Sequence, residues 1–434
     1  MTIRARVLLS LLAVLPAIFL VNCRDYSCGG FGALPCTSTG TGGTGPFGGG
    51  GGGSKASAFA FAVDDAGTID GYSLNTTAGT FAATSSYTAP VVPTNDGGVG
   101  MVVAQEQFLY AGFGSVGELF AWSIDPTTGG LTAISGSPYT APFLADYGLG
   151  VGQANMITNP AGTLLFISDT LHSEIYVYTI GSGGVLTLVT GSPFAVPFGP
   201  MNLATDGLGK YLYAIDGNFN THTGSAIAAY VIGSGTSLGT LTPVVGSPFV
   251  TAGSVNYSMW QLNGEPTGQY LIGTSGNSVV KSGIDDDHLY VFSISQSGTN
   301  AGAIAPVTGS PFATQYSPFS IAVQSNSNGN LVYSFSFNDS ASAFNPVEGY
   351  AISSTGTLTA DTNSPFSGVA EGSWGQFDQS GAFLFVYSSY INESTGDVVT
   401  QLGPIDVGTG GALTQPISTL TLATPGFWVV TDPQ

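Results

Sequence analysis

Five near-copies of one proline corner constrain this chain more than any other feature. The stretch TGSPFAVPF from Thr190 returns as SGSPYTAPF from Ser135, VGSPFVTAG from Val245, TGSPFATQY from Thr308 and TNSPFSGVA from Thr362. Each follows a short apolar phrase, such as GVLTLVTGSP or GTLTPVVGSP, and degenerate copies stand at GTFAATSSY and GALTQPIST. Leu131, Leu186, Leu241, Ile304, Leu358 and Leu413 are spaced 55, 55, 63, 54 and 55 residues apart, which makes seven units. Repeats of this length build propellers, solenoids or arrays.

Within a unit the pattern belongs to strands. GTLLFIS, EIYVYTI and VLTLVTG follow one another in the third unit, rich in β-branched and aromatic residues and jointed by Gly, Asn and Pro. No segment after Ser57 carries a capped 3.6-residue period, so helical solenoids are excluded. Short four-stranded sheets repeated radially are propeller blades. The first unit lacks an inner strand before KASAFAFAV, and the chain ends on a spare one, ATPGFWVVTDP. The expected fold is therefore an all-β seven-bladed β-propeller over residues 57–434, with the C-terminal strand closing the first blade and removing its open edge. In this frame the corner is architecture, turning the chain after the outermost strand of a blade back toward the axis to start the next. Gly accepts a tight bend, Pro fixes φ, and Tyr139, Phe194, Phe249, Phe312 and Phe366 plug the gaps between blades.

Before the repeats the chain reads differently. Arg4 and Arg6 precede an apolar run, Val7 to Val21, which has the form of a secretory signal over residues 1–22. Leu20, Val21 and Asn22 before Cys23 resemble the lipobox of bacterial lipoproteins, although Asn22 stands where that motif carries Gly, Ala or Ser. Cys23 is the expected lipidation site, with ordinary secretion as the alternative. Cys28 and Cys36 are then left as a pair in an oxidising compartment, either joined as a disulfide or idle in a tail. Residues 23–56 end in TSTGTGGTGPFGGGGGGS, a flexible tether whose eighteen residues span roughly 25 Å. These features place the protein on the bacterial cell envelope, lipid-anchored and facing the periplasm or the exterior.

Charge excludes several partners. Beyond Cys23, Arg24, Lys55, Lys210 and Lys281 oppose all 26 Asp and Glu, and only 7% of residues are charged, against about 25% in ordinary domains. Such a surface repels nucleic acid and anionic lipid, so membrane contact is expected only through the N-terminal lipid.

GPMNLATDGLGKYLYAI and ANMITNPAGTLLFIS resemble the repeat of the lactonase-like seven-bladed propellers, which include bacterial 6-phosphogluconolactonases and fungal carboxymuconate-lactonising enzymes. The resemblance covers residues 57–434 and implies the fold more strongly than the reaction. In the enzymes of that group a repeat opens on Pro followed by His, with further cationic groups around an anionic substrate. The matching positions here are Met201-Asn202 after Pro200, Phe319-Ser320 after Pro318, and Asn155-Met156. Holding a phosphorylated lactone and its oxyanion needs cationic donors. The chain departs from the pattern at those positions.

Two function classes remain. One is an envelope-anchored binding or scaffold propeller without the cationic site, taking an envelope protein or a neutral glycan. The other is a hydrolase of an uncharged lactone, in which His172, His288, Glu174 and Glu118 would be the catalytic set, each otherwise a solvated strand-edge residue. No cofactor is expected. Calcium is considered only for Asp285, Asp286 and Asp287 with Asp64 and Asp65, which lack the spacing of a defined calcium loop, and no metal ligands are assigned.

Overall fold

The computed structural model describes residues 58–63, 67–75, 80–88, 100–147, 154–216, 226–250, 258–276, 287–326, 329–336, 346–378, 381–391, 398–414, 420–422 and 428–431. The leader, Cys23, Cys28, Cys36, the tether, His222, Lys281, Asp64, Asp65, Asp285 and Asp286 lie outside them.

The strands form seven antiparallel sheets, each with a four-stranded path, arranged as the blades of a β-propeller. From the axis outward, blade one is Trp428–Thr431, Ala58–Val63, Thr68–Asn75 and Thr80–Thr88. Blade two is Gly100–Ala104, Phe108–Phe113, Glu118–Ile124 and Leu131–Ala133, and blade three is Met156–Thr158, Leu164–Asp169, Glu174–Ile180 and Leu186–Leu188. Blade four is Pro200–Thr205, Tyr211–Asp216, Ala226–Ile232 and Leu241–Pro243, and blade five is Ser258–Gly264, Tyr270–Gly276, His288–Ile294 and Ile304–Pro306. Blade six is Pro318–Asn326, Gly329–Ser336, Glu348–Ile352 and Leu358–Ala360. Blade seven is Trp374–Phe377, Phe383–Ile391, Val398–Asp406 and Leu420–Leu422. The ring closes as the sequence predicts: Phe59 pairs with Thr431, Ala60 with Val430, Phe61 with Val429 and Ala62 with Trp428.

Apolar side chains from facing blades fill each gap. Between blades three and four, Phe166 and Val177 meet Leu203, Leu212 and Tyr230. The plug residues lie where the corner argument puts them. Tyr139, Phe194, Phe249, Phe312 and Phe366 each pack into the cluster shared by their own blade and the next. Tyr139 also bridges, its hydroxyl accepting the Leu186 N–H of blade three at 3.1 Å.

The corner itself differs from the sequence expectation. It does not follow the outermost strand but interrupts it. In blade two Leu131–Ala133 pairs with Trp122–Ile124, the chain breaks at the corner, and Tyr139–Thr140 then resumes pairing with Glu118–Leu119. The break leaves one third-strand N–H without a ladder partner, and the corner serine supplies it. Ala121, Val177, Ala229, Val291 and Gly349 donate to the Oγ of Ser137, Ser192, Ser247, Ser310 and Ser364 at 2.9, 2.9, 2.8, 3.0 and 3.0 Å. All five Ser–Pro bonds are cis. Serine is invariant among the five corners because a buried N–H left unpaired is costly.

The glycine before each outer strand has an equally specific reason. Gly302 has φ +88°, and a Cβ there would lie 2.6 Å from Tyr211 Cδ1 of the preceding blade. Only glycine meets both demands. Blade-to-blade contact is tightened nearby by tyrosine hydroxyls: Tyr110 donates to Gly184 O (2.7 Å), Tyr213 to Gly302 O (3.0 Å) and Tyr333 to Gly411 O (2.6 Å). Burial raises the pKa of all three phenols well above the usual value, so they stay donors.

Candidate functional site

The upper face is taken as the end at which the inner strands begin. There the chain must satisfy inner-strand N–H groups at the axis, where no further strand exists to pair with them. Polar side chains from one blade do this for the next. Asn155 Oδ1 accepts the Leu203 N–H (3.0 Å), Asn202 Oδ1 the Leu262 N–H (3.0 Å) and Gln261 Oε1 the Ile321 N–H (2.8 Å), while Ser320 Oγ donates to Ser373 O (2.8 Å). All four are buried. Asn155, Asn202 and Ser320 belong to the repeat openings matched in the sequence to the lactonase-like pattern, and Gln261 takes the same register position in blade five.

Beside this girdle stand larger side chains. Inner-strand bulges at Pro200/Asn202, Met259/Gln261 and Pro318/Ser320 set Met201, Trp260 and Phe319 apart from the ladder. Phe319 lies 5.8 Å from Trp260 and 4.7 Å, edge to face, from Trp374. Trp260 and Phe319 are half-buried. The upper ends of blades five to seven thus carry an aromatic arc. Sequence reading missed it, although a bulky residue directly before Gln261 and Ser320 was the available signal.

The four candidate catalytic residues sit farther out. Glu118, Glu174 and His288 begin the third strands of blades two, three and five and share one register position, facing Thr140, Ala195 and Ala313. Two strands separate them from the axis. His172 does not share that position. It lies in the turn before Glu174, its N–H donating to Asp169 Oδ1 (3.0 Å) and its Nδ1 2.8 Å from Asp169 Oδ2. Asp169 is fully buried while the His172 side chain is 55% exposed, so a fixed carboxylate holds the Nδ1 edge of the imidazole. Ser173, next in the turn, has φ +58°. Asp169 was not singled out from the sequence because it ends an apolar strand without any motif.

Among the described residues Lys210 is the one Lys or Arg, and it sits at the lower face. Lys210 closes the hairpin between the first and second strands of blade four, where its N–H donates to Asp206 Oδ1 (2.6 Å). Such hairpins share one cap. Asn159 Oδ1 accepts from Thr163 and Leu164 N–H (both 2.8 Å), Asp206 from Lys210 and Tyr211, and Asp378 from Phe383. No group of three or more His, Cys, Asp or Glu side chains converges among the described residues.

No protein-family model and no curated protein matches the chain. Solved structures do. The periplasmic gluconolactonase PpgL of Pseudomonas aeruginosa aligns with a TM-score of 0.56 at 14% identity, over 87% of this chain and 100% of its own. A Bacteroides fragilis protein provisionally named a 6-phosphogluconolactonase aligns at 0.56 and 16%, over 87% and 98%. A Lactobacillus plantarum protein aligns at 0.55 and 16%, over 86% and 98%. What the chain shares with bacterial lactonase-like proteins is the seven-bladed propeller fold.

Proposed function

We propose that this chain is a binding propeller of the cell envelope that takes an uncharged, polyhydroxylated ligand at its upper face and does not turn over phosphorylated lactones. One observation carries the reading. The inner-strand openings hold Asn155, Asn202, Gln261 and Ser320, committed to bonds between blades, with Trp260, Phe319 and Trp374 beside them. Aromatic faces pack against the C–H faces of neutral sugars, and an acidic chain of net charge −20 repels phosphate. The envelope location rests on the leader and Cys23, and PpgL, which shares the fold, is periplasmic.

The test is calorimetric binding of neutral and anionic oligosaccharides, with 6-phosphogluconolactone hydrolysis assayed in parallel. Neutral glycans should bind, Trp260→Ala should weaken binding by roughly tenfold (about 1.4 kcal/mol), and lactone loss should match the spontaneous rate. Efficient turnover of the phosphorylated lactone would sink the proposal, as would binding confined to anionic glycans or to an envelope protein.

The Asp169–His172 pair favours a second reading, hydrolysis of an uncharged lactone with His172 Nε2 as general base. Under it, gluconolactone is consumed above background, and His172→Gln and Asp169→Asn both abolish the excess. Equal rates in all three proteins would eliminate it.

A further inference from the structure

Among the described residues eight large apolar side chains stand out in solvent, and all eight belong to blades three and four. Six of them lie on the outer rim, on the third or fourth strands, the turn between them or the corner. These are Val185 and Leu188 in blade three, and Val231, Leu238, Val245 and Val250 in blade four. Scattered exposed apolar residues need no explanation, but confinement to two adjacent blades does.

The repeat shows what blade four has exchanged. Val231 pairs with Thr242, next to the pair of Ile232 and Leu241. At that position four other blades carry a hydroxyl that donates to the carbonyl across the ladder. Ser73 reaches Ala82 O, Ser123 Thr132 O, Thr179 Thr187 O and Ser293 Ala305 O, each at 3.2 or 3.3 Å. Val245 opens the corner, where the other copies have Ser135, Thr190, Thr308 and Thr362. Val250 ends it, in place of Thr140, Ala195, Ala313 and Ser367. All eight of these corner counterparts are exposed, so no interior contact asks for valine at either position. Val245 and Val250 are themselves 64% and 75% exposed.

Charge decides what such a rim can meet. The chain carries −20, and two such bodies repel on approach. Residues 226–250, the outer half of blade four, contain no charged side chain, and neither do residues 175–199 of blade three. A charged partner finds nothing there to pair with. A second copy of this chain buries no charge at that rim, and a two-fold axis sets one apolar patch against itself. We propose that the rim of blade four, with the adjoining rim of blade three, is the surface through which two copies of this chain associate. A standard interface takes about 800 Å² and about 20–30 residues from each partner. The Ser and Thr of both rims must therefore join the valines, and a surface this polar gives a reversible dimer. The pairing goes beyond the upper-face ligand and does not depend on it.

The experiment is sedimentation equilibrium of the full chain in detergent, over a series of protein and salt concentrations. The parent should be a mixture of monomer and dimer whose dimer fraction rises with protein concentration. Salt should raise it too, because screening removes the repulsion between two acidic bodies and leaves the apolar contact. Val231→Thr, Val245→Thr and Val250→Ala together give blade four the residues of blade three. That variant should melt like the parent yet associate at least roughly tenfold more weakly. Val250→Asp alone should also weaken association, by setting like charges against each other across the axis. A parent that stays monomeric throughout would overturn the proposal and hand the rim to another occupant, an envelope protein or a lipid surface. Association unchanged in both variants, or weakened by salt, would overturn it as well.

Discussion

Blades two to six and the seam blades, seven and one, solve the same problem differently. In blades two to six the outer strand does not follow the third strand unbroken along its whole length, whereas in blade one Thr80–Thr88 pairs with the whole of Thr68–Asn75. In blades two to six the break is a Ser–Pro corner, and its serine accepts the N–H of Ala121, Val177, Ala229, Val291 or Gly349. By pairing with the second strand, the matching residues at the seam are Pro404 in blade seven, opposite Phe385, and Gly71 in blade one, opposite Phe61. Proline has no N–H to satisfy. At Gly71 the outer strand bulges instead, its register shifting between Asp70 and Tyr72. One donor at one register position thus has three solutions: an acceptor, a deletion of the donor, and a bulge. The degenerate copies at both ends of the chain are therefore not decayed corners but blades without a demand for one.

The largest effect should come from the seam itself. Removing residues 428–434 deletes the inner strand of blade one and strips the ladder from Phe59 to Ala62, leaving an open sheet edge. Scanning calorimetry should find the melting temperature lowered by roughly 10 °C or the protein aggregated, at about 2–4 °C per kcal/mol in a large domain. Removing residues 24–50 should shift it by less than about 1 °C on the same scale. Equal losses in the two truncations would mean that closure is not what holds the ring.

The corner and the proline can be set against each other directly. Ser192→Ala orphans the Val177 N–H and should cost about 1–3 kcal/mol in urea unfolding, whereas Ser192→Thr, which keeps a hydroxyl, should cost less. Pro404→Ala works from the opposite side, restoring an N–H in a blade that has no Ser–Pro corner. It should cost more than the few tenths of a kcal/mol expected from a freer unfolded chain. If Pro404→Ala is neutral while Ser192→Ala is costly, the equivalence of the two positions fails.

How much of this was legible follows from what each device leaves in the sequence. The blade count, strand order and closing strand were, because period, alternation and a spare last strand are patterns of residue type. The plugs Phe194 and Phe249 were, because a corner followed by an aromatic recurs. The role of the corner serine was not, since it depends on which third-strand N–H falls opposite the break. Pro404 looked like one more proline for the same reason. The candidate site was least legible. Glu118, Glu174 and His288 were rightly grouped at strand starts, but those strands are third from the axis. The residues nearest the axis are amides and aromatics such as Gln261 and Trp260, whose chemistry is read only from what they touch.

The smallest expected effect narrows the comparison to two neighbouring cornered blades, whose inner hairpins are capped by Asn159 and Asp206. Asn159 accepts two backbone N–H groups in its turn and Asp206 three, and only Asp206 carries charge. Burial pushes the Asp206 carboxyl above its ordinary range, against the Tyr211, Lys210 and Leu208 N–H bonds and the Lys210 ammonium that pull it down. A carboxyl raised on folding contributes stability that is fully present below its unfolded pKa and lost as pH rises through the folded one. At neutral pH the charged cap should therefore be no better than the amide next door. Asp206→Asn should leave stability at pH 7 unchanged or raise it by less than about 1 kcal/mol, since the acceptor oxygen is kept. Its advantage over the parent should shrink as pH falls through the raised folded pKa toward the ordinary carboxylate range, as the buried carboxyl takes up its proton. Urea unfolding of both proteins from pH 4 to pH 8 measures this. A loss of more than about 1 kcal/mol at pH 7 would show that the N–H bonds to a full charge outweigh its burial, and that the two hairpins are not interchangeable caps.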